Sequence, residues 1–230
     1  MALSNETLLQ LHGTHEELWQ QLEARAIHIR ATILQVHGSL IEHYPKREIR
    51  DYEAAFLWLL ARQYDYDGAL IVEIGTCWGW TAAVMQSAAP RARVLTCTPN
   101  HNHVIIARRN LATHYPRVDV FEGRSLDLLP TLADGSADMV FVDGDHQRVA
   151  NDLPFYNKLK VGGLMVHHDY CPEWCTGPRP CRWVYETVND FSARLAHEPD
   201  VLLVDHSLEG MAGHYRREGE TWPTTALSLN

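Results

Sequence analysis

The sequence lacks the features that mark secreted, membrane-bound and nucleic-acid-binding proteins. Its 230 residues carry 20 Lys and Arg against 29 Asp and Glu, a formal net charge of -9, which argues against a phosphate backbone as the main partner. It has no basic-then-apolar leader and no apolar run of membrane-spanning length. We therefore predict a cytoplasmic protein with no nucleic acid and no membrane among its partners.

Cysteine is scarce and odd in number. Five cysteines do not form a complete disulfide framework, and Cys77 and Cys97 fall in apolar segments typical of a core, so reduced thiols are expected. The other three lie in residues 171–181, where the C-x3-C-x5-C spacing matches no common zinc site. The Pro, Gly and Trp content of that segment favours an ordered lid loop. Trp174 and Trp183 could then stack on a ring of the substrate.

The glycine pattern lacks what a nicotinamide dinucleotide needs. Residues 71–81 (IVEIGTCWGWT) join an apolar strand to a helix through a turn that contains Gly75 and Gly79. The third glycine of G-x-G-x-x-G is missing, as is the acid that should end the next strand. A helix start still offers free N–H groups to a ligand, and Gly75 lets one approach the main chain closely. Taken alone, the stretch also fits a plain strand-to-helix turn.

Strand-like and helix-like segments alternate from residue 51 onward. This alternation predicts an α/β fold with a doubly wound, mostly parallel sheet, whose ligands bind beyond the carboxyl ends of the strands. The predicted strands are 69–72, 93–97, 118–122, 139–143 and 163–168, followed by an antiparallel pair at 201–205 and 213–217. The predicted helices are 52–64, 102–112, 126–132, a segment from the fourth strand through Leu159, and 182–195.

Four segments at the predicted strand ends carry a family resemblance. They are Glu73-x-Gly75-x-x-x-Gly79, 123–130 (GRSLDLLP), 138–146 (DMVFVDGDH) and 162–170 (GGLMVHHDY). In order and spacing they resemble the class I S-adenosylmethionine (SAM) methyltransferases, in particular the catechol, caffeoyl-CoA and macrocin-type sugar O-methyltransferases. The resemblance spans residues 51–170. It implies a Rossmann-like fold, SAM as methyl donor and a small-molecule acceptor with a hydroxyl group.

The resemblance also implies the contacts of the cofactor. Residues of the first motif would shape the pocket for the methionine part of SAM, those at 125–126 would border the adenine, and those at 143–144 would lie beside the sulfonium. Thr98 stands where these families usually carry a ribose-binding acid, and a threonine offers only one hydroxyl there. Glu122 is a substitute only if its geometry allows. The implied cofactor set is Glu73, Gly75, Thr76, Gly79, Thr81, Thr98, Ser125, Leu126, Asp143 and Gly144.

A second implied cluster concerns a divalent metal and a base. In metal-dependent members an Asp after the fourth strand and an acidic pair after the fifth hold the ion, and here Asp143, His168 and Asp169 match them. The imidazole shifts the preference from Mg²⁺ toward Mn²⁺, Fe²⁺ or Zn²⁺. Asp145 and His146 occupy the place of the general base, and a histidine suits proton transfer near neutral pH. Without a metal, the same cluster would only hydrogen-bond the strand ends and SAM.

Three parts follow along the chain: an N-terminal helical cap (1–50), the SAM-binding domain (51–218) and a peripheral tail (219–230). Helical spacing of apolar residues over 4–36 predicts two helices outside the sheet, either purely structural or covering the acceptor. The resulting hypothesis is a SAM-dependent small-molecule O-methyltransferase, assisted by a divalent metal, with His146 or Asp145 as base. The alternative is the same fold with other chemistry, a non-haem iron oxygenase or a SAM-using cyclase, which Thr98 and His168 keep open. The acceptor and the oligomeric state stay open, a homodimer included.

Overall fold

The computed structural model describes residues 9–26, 28–39, 49–170, 180–205 and 210–223. Its elements form one sheet between two layers of helices. The strands are β1 Leu9–Gly13, β2 Leu70–Ile74, β3 Arg93–Thr98, β4 Val118–Glu122, β5 Ala137–Val142, β6 Leu159–His168, β7 Val201–Asp205 and β8 Gly210–Tyr215. The α-helices are α1 His15–Arg25, α2 Ile29–Ser39, α3 Asp51–Ala61, α4 Trp80–Ala88, α5 His101–Leu111, α6 Ser125–Leu128 and α7 Pro180–Leu195. Segments Arg62–Tyr64, Leu129–Thr131 and His146–Lys158 are 3₁₀-helical.

The sheet confirms the predicted doubly wound topology. Its order is β1-β7-β8-β6-β5-β2-β3-β4. Strand β8 runs antiparallel to β6 and β7, and every other neighbouring pair is parallel. From β2 the chain continues outward through β3 and β4, then returns to the other side of β2 with β5. The switch in winding direction therefore lies between β2 and β5, the place where ligands bind in such sheets.

Each face of the sheet buries its own apolar core. Helices α1 to α5 cover one face, where Trp80, Phe56 and Phe141 are among the buried residues. The 3₁₀ segment His146–Lys158, called the 3₁₀ segment below, and helix α7 cover the other face, where Phe155 and Phe191 are among the buried residues. Burial on both faces explains the continuous apolar runs of the central strands, since a parallel sheet exposes neither side to water.

The helix prediction for residues 4–36 is wrong for Leu9–Gly13. These residues form β1, which pairs in parallel with β7 in the register Leu9 to Val201. Burial alternates along the strand, with Leu11 buried between exposed Gln10 and His12. This period of two is typical of a β-strand with one buried face. Five residues are too few for the sequence alone to distinguish that period from the helical spacing of the residues that follow. The predicted cap segment therefore contributes a strand to the main sheet.

Two further segments differ from their predictions. The segment after β5 is 3₁₀-helical with a non-helical residue at Arg148, and it ends before Leu159, where β6 begins. Pro154 lies inside this segment and has no backbone N–H, so it cannot donate the i to i−4 hydrogen bond that a regular α-helix needs there. In the predicted tail, Trp222 is buried and its backbone N–H donates to Asn157 Oδ1 at 2.7 Å. The division of the chain at residues 50 and 218 stays a prediction.

The predicted lid loop lies mostly outside the described residues. Cys171, Cys175 and Trp174 belong to the part not described, as does the side chain of Cys181. Trp183, on α7, is described and is partly exposed. Among the described residues, no helix is both long enough and apolar enough to cross a membrane.

We expect Leu11→Ala to lower the free energy of unfolding by about 2–4 kcal/mol, because Leu11 is fully buried in the core on a strand that contacts α1. The matched control is Leu34→Ala on α2, where the leucine is 53% exposed; its loss should stay below about 1 kcal/mol. Urea unfolding followed by tryptophan fluorescence measures both. Equal losses would contradict the placement of β1 in the sheet.

Candidate active site

A cavity of about 890 Å³ opens at the carboxyl ends of β2 to β5. It lies at the switch point of the sheet, where a doubly wound fold is expected to bind its ligand. Most of the predicted cofactor residues lie on its wall. The lining residues are Ile74, Gly75, Cys77, Cys97, Thr98, Pro99, His103, Gly123, Arg124, Ser125, Leu126, Asp143, Gly144, Asp145, Gln147, Arg148, Ala150, Asn151 and Asp152.

Gly75 brings the ends of β2 and β5 together. Its φ is +108°, a backbone conformation that side chains rarely adopt. A Cβ here would overlap the carbonyl oxygen of Asp143 and lie 2.6 Å from its carbonyl carbon. From the sequence, we expected this glycine to let a ligand approach the main chain closely. The structure shows that it also permits contact between two strand ends, so a larger residue would displace Asp143 from the cavity wall.

The acid and threonines of the first motif lie behind the cavity wall. Glu73 is fully buried, and the Thr81 hydroxyl on α4 donates to its Oε1. The Thr76 hydroxyl lies 2.7 Å from that of Thr96. Burial raises the pKa of Glu73 to about 7, opposed by hydrogen bonds from Thr81 and Thr96. Glu73, Thr76 and Thr81 are absent from the cavity lining and support the turn that forms it.

Gly79 starts helix α4. It is the N-cap residue, with φ +89°, and a Cβ on it would lie 2.9 Å from Leu111 Cδ1 on α5. The side-chain amide of Asn110 donates to the Trp78 carbonyl at 3.0 Å. The turn is therefore held against α5, which keeps the start of α4 in place. Gly79 does not line the cavity.

Thr98 lies in the cavity wall, where the resemblance places a ribose-binding residue. It is buried, and its Oγ1 accepts a hydrogen bond from the Asn100 N–H at 3.3 Å. Glu122, the substitute considered from sequence, forms a 2.9 Å hydrogen bond with His101 Nδ1 and does not line the cavity. Ser125 and Leu126, at the start of α6, do line it. The part of the cavity where the resemblance places the adenine and ribose is therefore lined by residues of β3 and α6.

Acidic and histidine side chains meet beside the cavity at the ends of β5 and β6. His146 Nε2 lies 2.6 Å from Asp169 Oδ2 and 3.6 Å from Asp143 Oδ1. His168 Nδ1 lies 3.2 Å from each of these carboxylates. Asp169 has a positive φ of 59°, which Asp tolerates better than most residues and which turns the chain at the end of β6. The sequence predicted that these four residues would be neighbours.

The sequence did not predict that Glu53 joins this cluster. It is a fully buried acid on α3, and its Oε1 lies 3.3 Å from His168 Nε2. Its Oε2 accepts a hydrogen bond from the Arg50 N–H at 2.7 Å. An acid inside the otherwise apolar run YEAAFLWLLA was the available signal, since buried acids need partners. Both ring nitrogens of His168 therefore face carboxylates.

Opposite charges set the protonation of the cluster. Hydrogen bonds with Asp143 and Asp169 raise the pKa of His146 to about 10. Burial alone would lower the pKa of His168, but Asp143, Asp169 and Glu53 hold it well above its ordinary value. The pKa of Asp169 is lowered: burial opposes this, and the two imidazoles outweigh burial. The surrounding carboxylates therefore favour the protonated form of both rings.

The cluster has the donor chemistry of a divalent metal site. One ligand atom each from Asp143, His146 and Asp169 lies within 4.8 Å of the others. Two carboxylates with an imidazole suit Mn²⁺, Fe²⁺ or Zn²⁺. Of the predicted ligands, Asp143 and Asp169 belong to this group, whereas His168 is held between three carboxylates. Asp145 is 61% exposed and caps the 3₁₀ segment, accepting from the Gln147 N–H at 3.1 Å.

A second acid missed by the sequence analysis lies in the wall of the cavity. Asp152 is on the 3₁₀ segment and is 4% exposed. Burial raises its pKa to about 7, a hydrogen bond from Ser125 lowers it, and Asp145 raises it. No residue pattern pointed to Asp152, because an acid in a polar segment after a strand is usually solvated.

Comparison with known proteins gives a consistent picture. Residues 72–170 match a family model described as a methyltransferase domain. The catechol O-methyltransferase of Mycobacterium tuberculosis is 38% identical over 129 residues, which cover 53% of this chain and 56% of that protein. The chain thus spans about half the length of the curated relative that it matches.

Solved structures extend the likeness in fold to most of the chain. An O-methyltransferase from Bacillus cereus, crystallised with S-adenosylhomocysteine, has a TM-score of 0.60 at 22% identity, covering 86% of this chain and 96% of that one. The O-methyltransferase TomG from Streptomyces achromogenes, in complex with SAM, has a TM-score of 0.60 at 23% identity, with 82% and 89% covered. Residues 72–170 thus match a methyltransferase domain model, and the chain shares the Rossmann-like fold of these two O-methyltransferases.

Proposed function

We propose that the protein is a SAM-dependent O-methyltransferase acting on a hydroxyl group of a small molecule. The observation that carries this proposal is the double position of Asp143, which both lines the cavity and belongs to the acid–histidine cluster. A cavity and a cluster of acids and histidines that could exchange a proton or hold a cation are therefore adjacent. Transfer of a methyl group between a bound donor and a hydroxyl needs both.

The cavity suits SAM in size and in the character of its wall. Ligand sites of this kind measure about 300–1,000 Å³ and combine apolar walls with a few fixed polar groups. Here Ile74 and Leu126 supply apolar surface, and Ser125 and Thr98 supply hydroxyls. Glu73, Thr76, Gly79 and Thr81 support this cavity from behind. The likeness in fold to O-methyltransferases crystallised with SAM or S-adenosylhomocysteine supports SAM as the donor for this chain.

The cluster suits a divalent metal held by Asp143 and Asp169, with His146 or His168 as the imidazole ligand. Such an ion supplies Lewis-acid chemistry, which lowers the pKa of an acceptor hydroxyl. Glu53 and His168 orient the two acids, since each ring nitrogen of His168 faces a carboxylate. Such a site would bind Mn²⁺ or Fe²⁺ in preference to Mg²⁺, because the His146 imidazole lies close enough to the two acids to share the ion.

His146 is the proposed base, and Asp145 is the second candidate. His146 points its Nε2 at the two carboxylates that keep it protonated, so it accepts a proton only once those carboxylates are occupied by another cation. Asp145 is exposed and caps a helix, which leaves it less well placed to take a buried proton. In methyl transfer the main requirement is alignment of the acceptor oxygen with the donor, which a rigid row of strand ends provides.

The alternative chemistries are less well supported. A non-haem iron oxygenase would use a site of two histidines and one carboxylate. His168 has both nitrogens directed at acids, with Glu53 as the innermost partner, so it is the less available of the two histidines. The family match and the curated relative are both methyltransferases, which does not favour the oxygenase or the cyclase.

The function is tested by incubating purified protein with SAM and a panel of catechols, sugars and other alcohols. We expect S-adenosylhomocysteine to form with at least one acceptor. His146→Ala should lower the rate by about 10²–10⁴-fold while SAM still binds, because it removes a positioned base but no cavity residue. The matched control His114→Ala changes a histidine outside the site and should keep the rate. Oxygen uptake coupled to product, without S-adenosylhomocysteine, would favour the oxygenase.

Metal dependence is tested separately. Chelation should stop turnover, and Mn²⁺ or Fe²⁺ should restore it better than Mg²⁺. Asp169→Asn should lose the metal, measured by elemental analysis, yet bind S-adenosylhomocysteine like the wild type in calorimetry, since Asp169 does not line the cavity. The metal content of His146→Ala distinguishes two roles for His146. If His146 is only a base, the variant keeps its metal; if His146 is a ligand, the variant loses metal. Methyl transfer that survives complete chelation would exclude the metal.

The buried acid Glu73 makes stability depend on pH. Its pKa is about 7 in the folded protein against an ordinary value of 4.5, so the folded state binds more protons between these values. The contribution of Glu73 to the free energy of unfolding therefore falls as pH rises from 4.5 to 7. Glu73→Gln keeps an acceptor for the Thr81 hydroxyl and removes this penalty. We expect its stability relative to wild type to rise by about 3 kcal/mol between pH 4.5 and pH 8.

Urea unfolding of both proteins at the two pH values measures this change. Glu186→Gln serves as the control, since Glu186 is exposed and pairs with Arg182, which stays charged across this pH range, so the difference should stay nearly flat. A constant difference between Glu73→Gln and wild type would show that Glu73 ionises normally. The same variant should keep the cavity wall, since Glu73 does not line it.

A further inference from the structure

Glu53 on α3 holds the side of the His168 ring that faces away from the other acids of the cluster. It is the third residue of the helix, and its Oε2 accepts a hydrogen bond from the Arg50 N–H at 2.7 Å. This bond fixes the carboxyl group at the start of the helix, where the helix dipole also favours an acid. Its Oε1 faces Nε2 of His168 at 3.3 Å. A fixed acid on α3 thus sets the orientation of a ring on β6.

Two imidazoles compete for the place of the metal ligand. Nε2 of His146 lies 2.6 Å from Asp169 Oδ2 and 3.6 Å from Asp143 Oδ1. Nδ1 of His168 lies 3.2 Å from each of the same two oxygens. A histidine that binds a metal through one nitrogen nearly always donates the hydrogen of the other to an acceptor, which fixes the ring. Glu53 is that acceptor for His168, whereas no described residue hydrogen-bonds Nδ1 of His146.

We propose that Glu53 is a positioning residue that makes His168, rather than His146, the imidazole ligand of the metal. With the hydrogen on Nε2 donated to Glu53, the ring presents the lone pair of Nδ1 to the side where Asp143 and Asp169 converge. His146 is then left to act as the base. The inference rests on the proposed function, since it takes a divalent ion to be held by the two acids. It adds the residue that decides which nitrogen joins them.

The test is calorimetric binding of Co²⁺ and of Mg²⁺ to the purified protein. Co²⁺ gains more from a nitrogen ligand than Mg²⁺, which prefers oxygen, so the ratio of the two affinities reports the imidazole. Glu53→Ala should weaken Co²⁺ binding by about 10–100-fold and lower the Co²⁺ to Mg²⁺ ratio by about 10-fold. The matched control is Glu17→Ala, which removes the same third-position acid from α1, where it accepts from the Thr14 N–H. This control should keep the wild-type ratio.

A second background separates positioning from charge. Loss of the negative charge of Glu53 would weaken both ions alike, whether or not His168 is present. Positioning acts through the ring. Glu53→Ala should therefore change the ratio by about 2-fold or less when it is added to His168→Ala, and by its full amount when it is added to His146→Ala.

An unchanged ratio in Glu53→Ala, or the same fall after His168 has been replaced, overturns the proposal. Should Glu53→Ala fail to fold, Glu53→Gln decides in the same way, because an amide has one acceptor oxygen for the two donors that Glu53 serves. Wild type that binds neither ion refutes the metal of the proposed function as well. Wild type that binds both ions, with the ratio lost in His146→Ala instead of His168→Ala, refutes only this inference.

Discussion

The contact between Gly75 and the main chain of Asp143 is the constraint on which the site depends. Two parallel strands that neighbour each other at the switch point must end close enough to share a wall, and a side chain at Gly75 would prevent it. The same contact fixes Asp143, which faces the cavity on one side and the acid–histidine cluster on the other. One glycine thus couples the binding cavity to the groups beside it.

The cluster itself is stabilised by mutual neutralisation. Three acids and two histidines are largely removed from water at the ends of β5, β6 and α3. Each ion would be costly alone, and each raises or lowers the pKa of its neighbours in the direction that favours opposite charges. In the proposed metal site, a divalent cation bound by the carboxylates would supply the positive charge that a protonated imidazole supplies in this structure.

Local patterns predicted most of the fold because strands and helices of the central domain leave a periodic trace. The strand ends also predicted which residues meet, since parallel strands place their carboxyl ends at one edge of the sheet. The failures are non-local. Strand β1 exists because β7 offers it an edge, and nothing within Leu9–Gly13 encodes that partner. Glu53 meets His168 across 115 residues of sequence, a pairing that only the packed fold creates.

The two acids that sequence reasoning missed differ in how visible they were. Glu53 interrupts an apolar helix, so its burial followed from the surrounding residues even though its partner did not. Asp152 sits in a segment of mixed polarity, and its burial depends on how the 3₁₀ segment folds back over the cavity beside α6. Sequence motifs identify the site residues that directly follow the strands. The packing of later segments against those ends decides which further side chains complete the wall, and that decision requires the three-dimensional structure.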